Sequence, residues 1–327
     1  MKAVLIKKPG GPEVLRLGTY RRPKHTAEEV LVRVEATALN RADLLQRAGK
    51  YPPPKGASPI PGLEVSGVVE QRGRKAKKWA KGARVFGLLA GGGYAEYVAV
   101  HEDLLMPIPE NLSFEEAAAI PEAFLTAFQA LYWLGDLKAG QHVLIHAGAS
   151  GVGTAAIQLV RATRAHACIT ASPSKHQICR NLGAEVLINY HEEDFVERVL
   201  AATHSRGVDL VLDFIGAPYL ERNLNALATD GRIILLASMG GSVLESFDLR
   251  RLFAKRARVT ATTLRSRSLD YKIKLTQEFA SFVLPMIAEG RVKAVIDSTY
   301  HWKNAADAHR RMEANRNVGK IVMQVVR

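Results

Sequence analysis

The sequence predicts an α/β protein in which a doubly wound parallel sheet is joined to a small, discontinuous β domain. Three observations predict it. Between residues 141 and 265, six short β-branched runs alternate with helix-length segments, the pattern of a parallel sheet covered on both faces. Before residue 117 the chain is short strand-like runs cut by Gly and Pro, and strand-like runs return after the last long helical stretch.

In chain order, EVLVRVEATAL (29 to 39), GLEVSGVVEQ (62 to 71), ARVFGLL (83 to 89) and YAEYVAV (94 to 100) predict strands of a barrel-like domain. SFEEAAAIPEAFLTAFQALYWL (113 to 134) switches to helical spacing and opens on Ser113 with Glu116 three residues on, a capping-box signature. It predicts a helix leading into the second domain. HVLIHAG, HACITAS, AEVLINY, VDLVLDFIG, GRIILLASMG and RVTATTL then supply the six strands. LDYKIKLTQEFASFVLPMIAEG is helical, and AVIDSTY and GKIVMQVV are suited to rejoin the first domain. The expected division is 1–120 with 266–327 against 121–265.

Composition narrows the classes. A chain of 327 residues, 47% hydrophobic and 24% charged, has the balance of a globular protein of two domains. MKAVLIKKPGGPEVL is neither a secretory signal nor a membrane span, and Cys168 and Cys179 offer neither a disulfide framework nor a metal pair. A cytoplasmic protein without a membrane partner is expected. The net charge of +13 has two readings, a field for nucleic acid or one for phosphate-bearing small molecules and solubility. Seven basic residues fall in RGRKAKKWAKGAR (72 to 84) and five in RRLFAKRAR (250 to 258). Neither run has the interleaved aromatics of a single-strand stacking platform.

HAGASGVGTAAIQL (146 to 159) carries the chemistry. Its glycines, Gly148, Gly151 and Gly153, follow G-x-x-G-x-G rather than G-x-G-x-x-G spacing, so pattern alone does not separate a dinucleotide cradle from a tight turn. Position does. This is the first strand-to-helix unit of the alternation, where the fold puts a pyrophosphate on a helix N-terminus. Gly148, Ser150, Gly151, Val152 and Gly153 are therefore expected to bind cofactor. An NAD site would place an acid about 20 residues on, yet no Asp or Glu occurs from Gly148 to Ala184. The second strand runs instead into Ser172, Ser174 and Lys175, a hydroxyl and ammonium set suited to a 2′-phosphate. NADP(H) is the expected cofactor, with Ser172 and Lys175 selecting it. Ligands lie outside the carboxyl ends of such strands, so Tyr190, Ile215, Gly216, Met239, Gly240 and Gly241 should border it. Tyr190 reads equally as a core-edge tyrosine.

LNRADLLQRAGKYPPPKGAS, LLMPIPENLSFEEAAAIPEAFLTAFQAL, LIHAGASGVGTAAIQL, NLGAEVLINYHEEDF, LRSRSLDYK and MEANRNVGKIV together resemble the zinc-independent quinone oxidoreductases of the medium-chain dehydrogenase/reductase superfamily. They look most like the tumour-suppressor-induced branch, with ζ-crystallin more distant. The resemblance covers nearly the whole chain. It implies a GroES-like β-barrel catalytic domain and a Rossmann domain, NADPH-dependent one-electron reduction of quinones, ortho-quinones among them, and homodimers or homotetramers. In the zinc alcohol dehydrogenases of the superfamily, a Cys near the start and a G-H-E motif supply metal ligands. Those places correspond here to Asn40 and to Gly62, Leu63 and Glu64. Neither Asn nor Leu replaces a thiolate or an imidazole at zinc, and no metal is expected.

The resemblance also assigns candidates. Tyr51 corresponds to the family's loop tyrosine, to stack on or hydrogen-bond the nicotinamide or quinone; packing on its prolines is the other reading. Asn40 can donate its amide to an acceptor oxygen. Thr126 resembles the threonine facing nicotinamide, or bonds its own helix. Leu264, Arg265 and Arg267 are placed near the nicotinamide end, with surface anions as the alternative for the arginines, and Arg41 and Asp43 are expected to form a local ion pair. Two other functions compete. Reduction of an enone or enoyl thioester would use Tyr51 as an acid, and RNA association, as in ζ-crystallin relatives, would use the basic surface.

Overall fold

The computed structural model describes residues 1–325. The chain divides into two compact units: Met1–Leu125 with the residues from Leu264 onward, and Thr126–Thr263.

In the first unit, a ten-residue strand, Glu29–Ala38, organises the sheet. It pairs along one edge with Glu64–Arg72, where two register shifts bend the ladder. Its other edge is long enough for two partners. Tyr97–His101 takes Glu29 to Arg33, and Lys320–Gln324 takes Ala36 to Ala38, both antiparallel. The last described strand thus closes back on the first third of the chain, setting Lys320 beside Leu39 and Asn40. Arg84–Leu88 and Leu105–Pro107 extend the sheet on one side and Ile296–His301 on the other. Tyr94, Leu39 and Trp302 lie in the core beneath it, each at most 1% exposed, and each such side chain contributes roughly 1.5–3 kcal/mol on leaving water.

The predicted helix over 113 to 134 is three pieces. Ser113 and Glu116 do cap one another's backbone, but the helix they start is Phe114–Ala118. A second begins at Pro121 and runs to Phe128, followed by a wide π turn over Gln129–Leu134. Proline lacks the N–H and clashes with the preceding turn, so Pro121 opens a helix instead of continuing one.

The second unit holds six parallel strands: β1 His142–Ile145, β2 His166–Ala171, β3 Ala184–Asn189, β4 Val208–Asp213, β5 Leu227–Leu235 and β6 Arg258–Ala261. Helices α1 Gly151–Ala162, α2 His176–Leu182, α3 Phe195–Ala202, α4 Ala217–Ala226 and α5 Arg250–Lys255 connect them. The strand order β3-β2-β1-β4-β5-β6 is doubly wound, as the alternation predicts. The order reverses beside β1, opening a crevice outside the carboxyl ends of β1 and β4. Leu144, Ile169, Val211 and Ile233 are buried across the sheet. Among the described residues no helix is long and apolar enough to cross a membrane.

Candidate active site

At the end of β1 the chain turns through Ala147, held at a positive φ of 50°, and enters α1 at Ser150. The Ser150 hydroxyl accepts from Gly153 N at 3.0 Å, a cap that leaves the N–H groups of Gly151 and Val152 in the first turn without intrahelical partners. A Cβ on Gly153 would lie 2.5 Å from the carbonyl oxygens of Ala147 and Gly148, and one on Gly148 would meet Ile169 of β2 at 2.6 Å. Two of the glycines therefore bring the helix end onto the turn and the turn onto the sheet. The remaining N–H groups and the helix dipole are the features that an anion cradle requires.

A buried polar chain fixes the neighbouring loops, and sequence reasoning missed it. Asp213, at the end of β4, accepts from Ile215 N at 2.6 Å and Gly216 N at 3.1 Å through one oxygen, and from Asn223 of α4 at 3.0 Å through the other. Since Asn223 gives its amide N–H to Asp213, its oxygen accepts from His146 Nε2 at 2.7 Å, and His146 Nδ1 in turn accepts from the Thr170 hydroxyl at 3.1 Å. Burial pushes His146 down to about 4 and raises the Asp213 carboxyl, so the imidazole is neutral, as this chain requires. The loop after β4 meets the loop after β5: Gly240 N donates to Ile215 O at 2.8 Å and Ala217 N to Gly241 O at 2.9 Å. Gly216 sits at a positive φ of 88°, where a Cβ would strike Gly241 O. Ile215, Gly216, Gly240 and Gly241 are thus brought together, while Met239 lies exposed beside them. The one sequence clue was a histidine, His146, directly after the buried apolar run Val143 to Ile145.

Ala171 and Asn189 are partners in the β2–β3 ladder, so Ser172 and Tyr190 leave the sheet side by side. Ser172 and Lys175 are half-buried at the turn that leads into α2, and Tyr190 is exposed with its ring 4.1 Å from that of His191.

The first unit holds the other candidates except Thr126, which opens the second. Asn40 precedes the helix Arg41–Arg47, and its side chain is locked between two charges. Asn40 Nδ2 donates to Glu64 Oε1 at 2.8 Å, and Lys320 Nζ donates to Asn40 Oδ1 at 2.6 Å and to Leu39 O at 2.8 Å. Lys320 and Glu64 form a buried ion pair at 2.7 Å. The place that the resemblance assigns to the zinc relatives' Cys is therefore held by an amide locked against a buried ion pair, and that of their His by the buried Leu63. Among the described residues no group of three or more His, Cys, Asp or Glu is arranged to hold a metal ion.

Asp43 does not pair with Arg41. It is fully buried, accepting from Asn40 N at 2.8 Å and Gly62 N at 2.9 Å, while Arg41 reaches Asn315. Facing inward on its helix, Asp43 satisfies backbone donors that burial would otherwise orphan. Burial raises its carboxyl to about 6.

Arg265 is 4% exposed, which excludes the surface-anion alternative for it. It donates to Ala90 O at 2.8 Å and Gln46 Oε1 at 2.7 Å, and its guanidinium carbon lies 5.3 Å from the centre of the Tyr51 ring. Tyr51 is half-buried, and burial raises its phenol. Leu264 is buried, Arg267 covers the Tyr271 ring at 4.7 Å, and Thr126 is half-buried on Pro121–Phe128.

The basic runs are compensated in part, by two ion pairs in the first and three in the second. Lys75 and Lys78 pair with Glu28 and Asp103, and Arg250, Arg251 and Arg256 with Asp248, Glu221 and Asp230.

Two family models match the chain, one described as an alcohol dehydrogenase GroES-like domain over residues 26–110 and one as a zinc-binding dehydrogenase over residues 182–323. The synaptic vesicle membrane protein VAT-1 homolog of Danio rerio is 33% identical, covering 98% of this chain and 69% of its own. The quinone oxidoreductase of Homo sapiens is 31% identical over 94% of this chain and 93% of its own. The crystal structure of Escherichia coli quinone oxidoreductase complexed with NADPH is 30% identical at a TM-score of 0.89, covering 99% of this chain and 100% of that one.

Proposed function

This chain belongs to the quinone oxidoreductase family of the medium-chain dehydrogenase/reductase superfamily, and from that premise we propose that it is an NADPH-dependent reductase of quinones, ortho-quinones among them, working without a metal. The observation that carries the acceptor class is the Asn40–Glu64–Lys320 triangle. A site with no Lewis acid suits an acceptor already electron-poor enough to take a hydride, for which holding the ring and excluding water are the main tasks.

A bound dihydronicotinamide would supply the electrons. The residues at the α1 entrance, Gly148 and Ser150 to Gly153, hold the pyrophosphate. Ser172, Lys175 and Tyr190 hold the 2′-phosphate, and Ile215, Gly216 and Met239 to Gly241 border the cofactor on loops pinned by Asp213. Asn40 and Tyr51 are the first unit's candidates for the reaction, and Thr126 is the second unit's. Asn40 has one amide proton committed to Glu64 and only a 3.5 Å contact to Ala38 O for its nitrogen otherwise, so a proton remains to give. Arg265 works by holding the Tyr51 loop, with Leu264 and Arg267 beside it in sequence. The family's homodimer or homotetramer and a cytoplasmic location belong to the same proposal. Five of the twelve basic residues in the two runs are held in ion pairs, which favours solubility over RNA binding.

Turnover of NADPH with an ortho-quinone, set against an enal and an enoyl thioester, tests the reading; activity confined to the alkenes overturns it. Lys175→Glu is expected to raise the KM for NADPH by ~10–100-fold, the worth of one charge-assisted bond, and to leave that for NADH nearly unchanged. Equal changes for both cofactors would remove Lys175 from the 2′-phosphate.

A further inference from the structure

Moving one electron to a quinone puts negative charge on its oxygens and adds no hydrogen. Where no metal meets that charge, a fixed cation is the group that would. The cations described so far at the Asn40 and Tyr51 loops are committed. Lys320 donates to Leu39, Asn40 and Glu64, and Arg265 to Ala90 O, Gln46 and Tyr51 O. Arg47 reaches Gly10 O, His309 and Glu313. Lys272 is placed differently. It stands in the first turn of the helix Leu269–Ala288, on the face that buries Leu275, Thr276 and Phe279, three, four and seven residues on. That face meets the helix Pro121–Phe128, with the rings of Phe279 and Phe124 centred 6.5 Å apart. Lys272 is half-buried, and among the described residues its ammonium has no hydrogen bond or ion pair.

The acid nearest to hand does not neutralise it. Glu122, at the start of Pro121–Phe128, donates its backbone N–H to Glu64 Oε2 at 2.8 Å, while its own Oε2 is buried without a hydrogen-bond partner among the described residues. Burial, and then the Glu64 carboxylate, raise the Glu122 carboxyl from 4.5 to about 8, so it keeps its proton at neutral pH. Tyr51 and Lys272 both lie near enough to Glu122 to feel its charge, which sets the uncompensated ammonium toward the Tyr51 loop. Burial lowers the lysine from its ordinary value, as expected of an ammonium short of water.

We propose that Lys272 holds the negative charge of the reduced acceptor, its ammonium donating to the quinone oxygens as the electron arrives. This rests on the quinone reductase reading. Two quinone molecules take one electron each from one dihydronicotinamide and leave as radical anions. The C4–H bond of that dihydronicotinamide breaks, its two electrons going to the quinones and its proton to water. No bond to hydrogen forms on the acceptor, so charge is what the protein has to meet. An ortho-quinone shares that charge between two adjacent oxygens, which suits one ammonium with three N–H donors.

Lys272→Met keeps the stem and removes the charge, whereas Lys272→Arg keeps the charge. With an ortho-quinone, K272M should lose ~100-fold in kcat and equally in kcat/KM, the signature of an interaction gained on the way to the transition state. The KM for NADPH should not change, and K272R should retain most of the rate. Nitrocatechol, which is ionised near neutral pH and coloured, mimics the charged product and allows a test without turnover. K272M should bind its anion ~10-fold more weakly than wild type, the worth of one hydrogen bond to a charged group, and should bind uncharged catechol equally well. A K272M enzyme as fast as wild type, an affinity for the nitrocatechol anion that the substitution leaves unchanged, or a loss shared by uncharged catechol overturns the proposal. A wild type that holds the anion through Lys272 but oxidises NADPH with no quinone overturns the reductase reading instead.

Discussion

Lys320→Met is expected to destabilise the protein by about 3–5 kcal/mol, the cost of stranding one partner of a buried ion pair. Its ammonium has three protons and three acceptors, on Leu39, Asn40 and Glu64, at 2.6 to 2.8 Å. Methionine preserves the apolar stem, so the loss isolates the charge. Glu64 is left as an anion at 0% exposure with only the Asn40 amide and the Glu122 N–H to solvate it. Denaturant unfolding at neutral pH measures the change. The double variant Lys320→Met with Glu64→Gln should recover much of it, because no unpaired charge remains. A loss below about 1 kcal/mol, the range of exposed pairs, would mean that water reaches this cluster.

Gly153→Val is expected to weaken NADPH binding by about tenfold or more, through an overpacking cost of roughly 1–3 kcal/mol at the entrance to α1. The first atom added already lies 2.5 Å from two carbonyl oxygens. Both belong to the backbone of the turn, so no side-chain tip can swing aside. The helix must back away from the turn, and the N–H groups of Gly151 and Val152 move with it. Nucleotide titration by fluorescence or calorimetry checks this. An unchanged affinity together with an unchanged melting midpoint would show that the turn adapts, and that these glycines do not position the cradle.

Local rules made much of the architecture legible. β-branched runs such as Val143 to Ile145 and Val208 to Leu212 show their strand character within a few residues, because side-chain period and burial are set by near neighbours. Ser113 and Glu116 signalled a helix start for the same reason. The helix they start was read as too long because Pro121 was taken as a residue within a pattern, although a missing N–H acts at one position whatever the pattern around it. The buried role of Asp43 was not legible either. An acid two residues after an arginine looks like a surface pair until the helix is rotated against Gly62.

By itself, the sequence determined the strand–helix alternation, the glycines at the first turn, the acid-free end of the second strand, and the absence of thiolate and imidazole where zinc relatives have them. Each is a property of neighbouring residues or of residue identity. Tertiary structure alone decided that Asn40, Glu64, Glu122 and Lys320 form one hydrogen-bonded group, and that His146, Asn223 and Asp213 form another. Their members lie tens to hundreds of residues apart, joined only when strands pair in register. Burial then supplies what no residue type carries alone, a carboxyl that keeps its proton near neutral pH and an imidazole that gives its proton up.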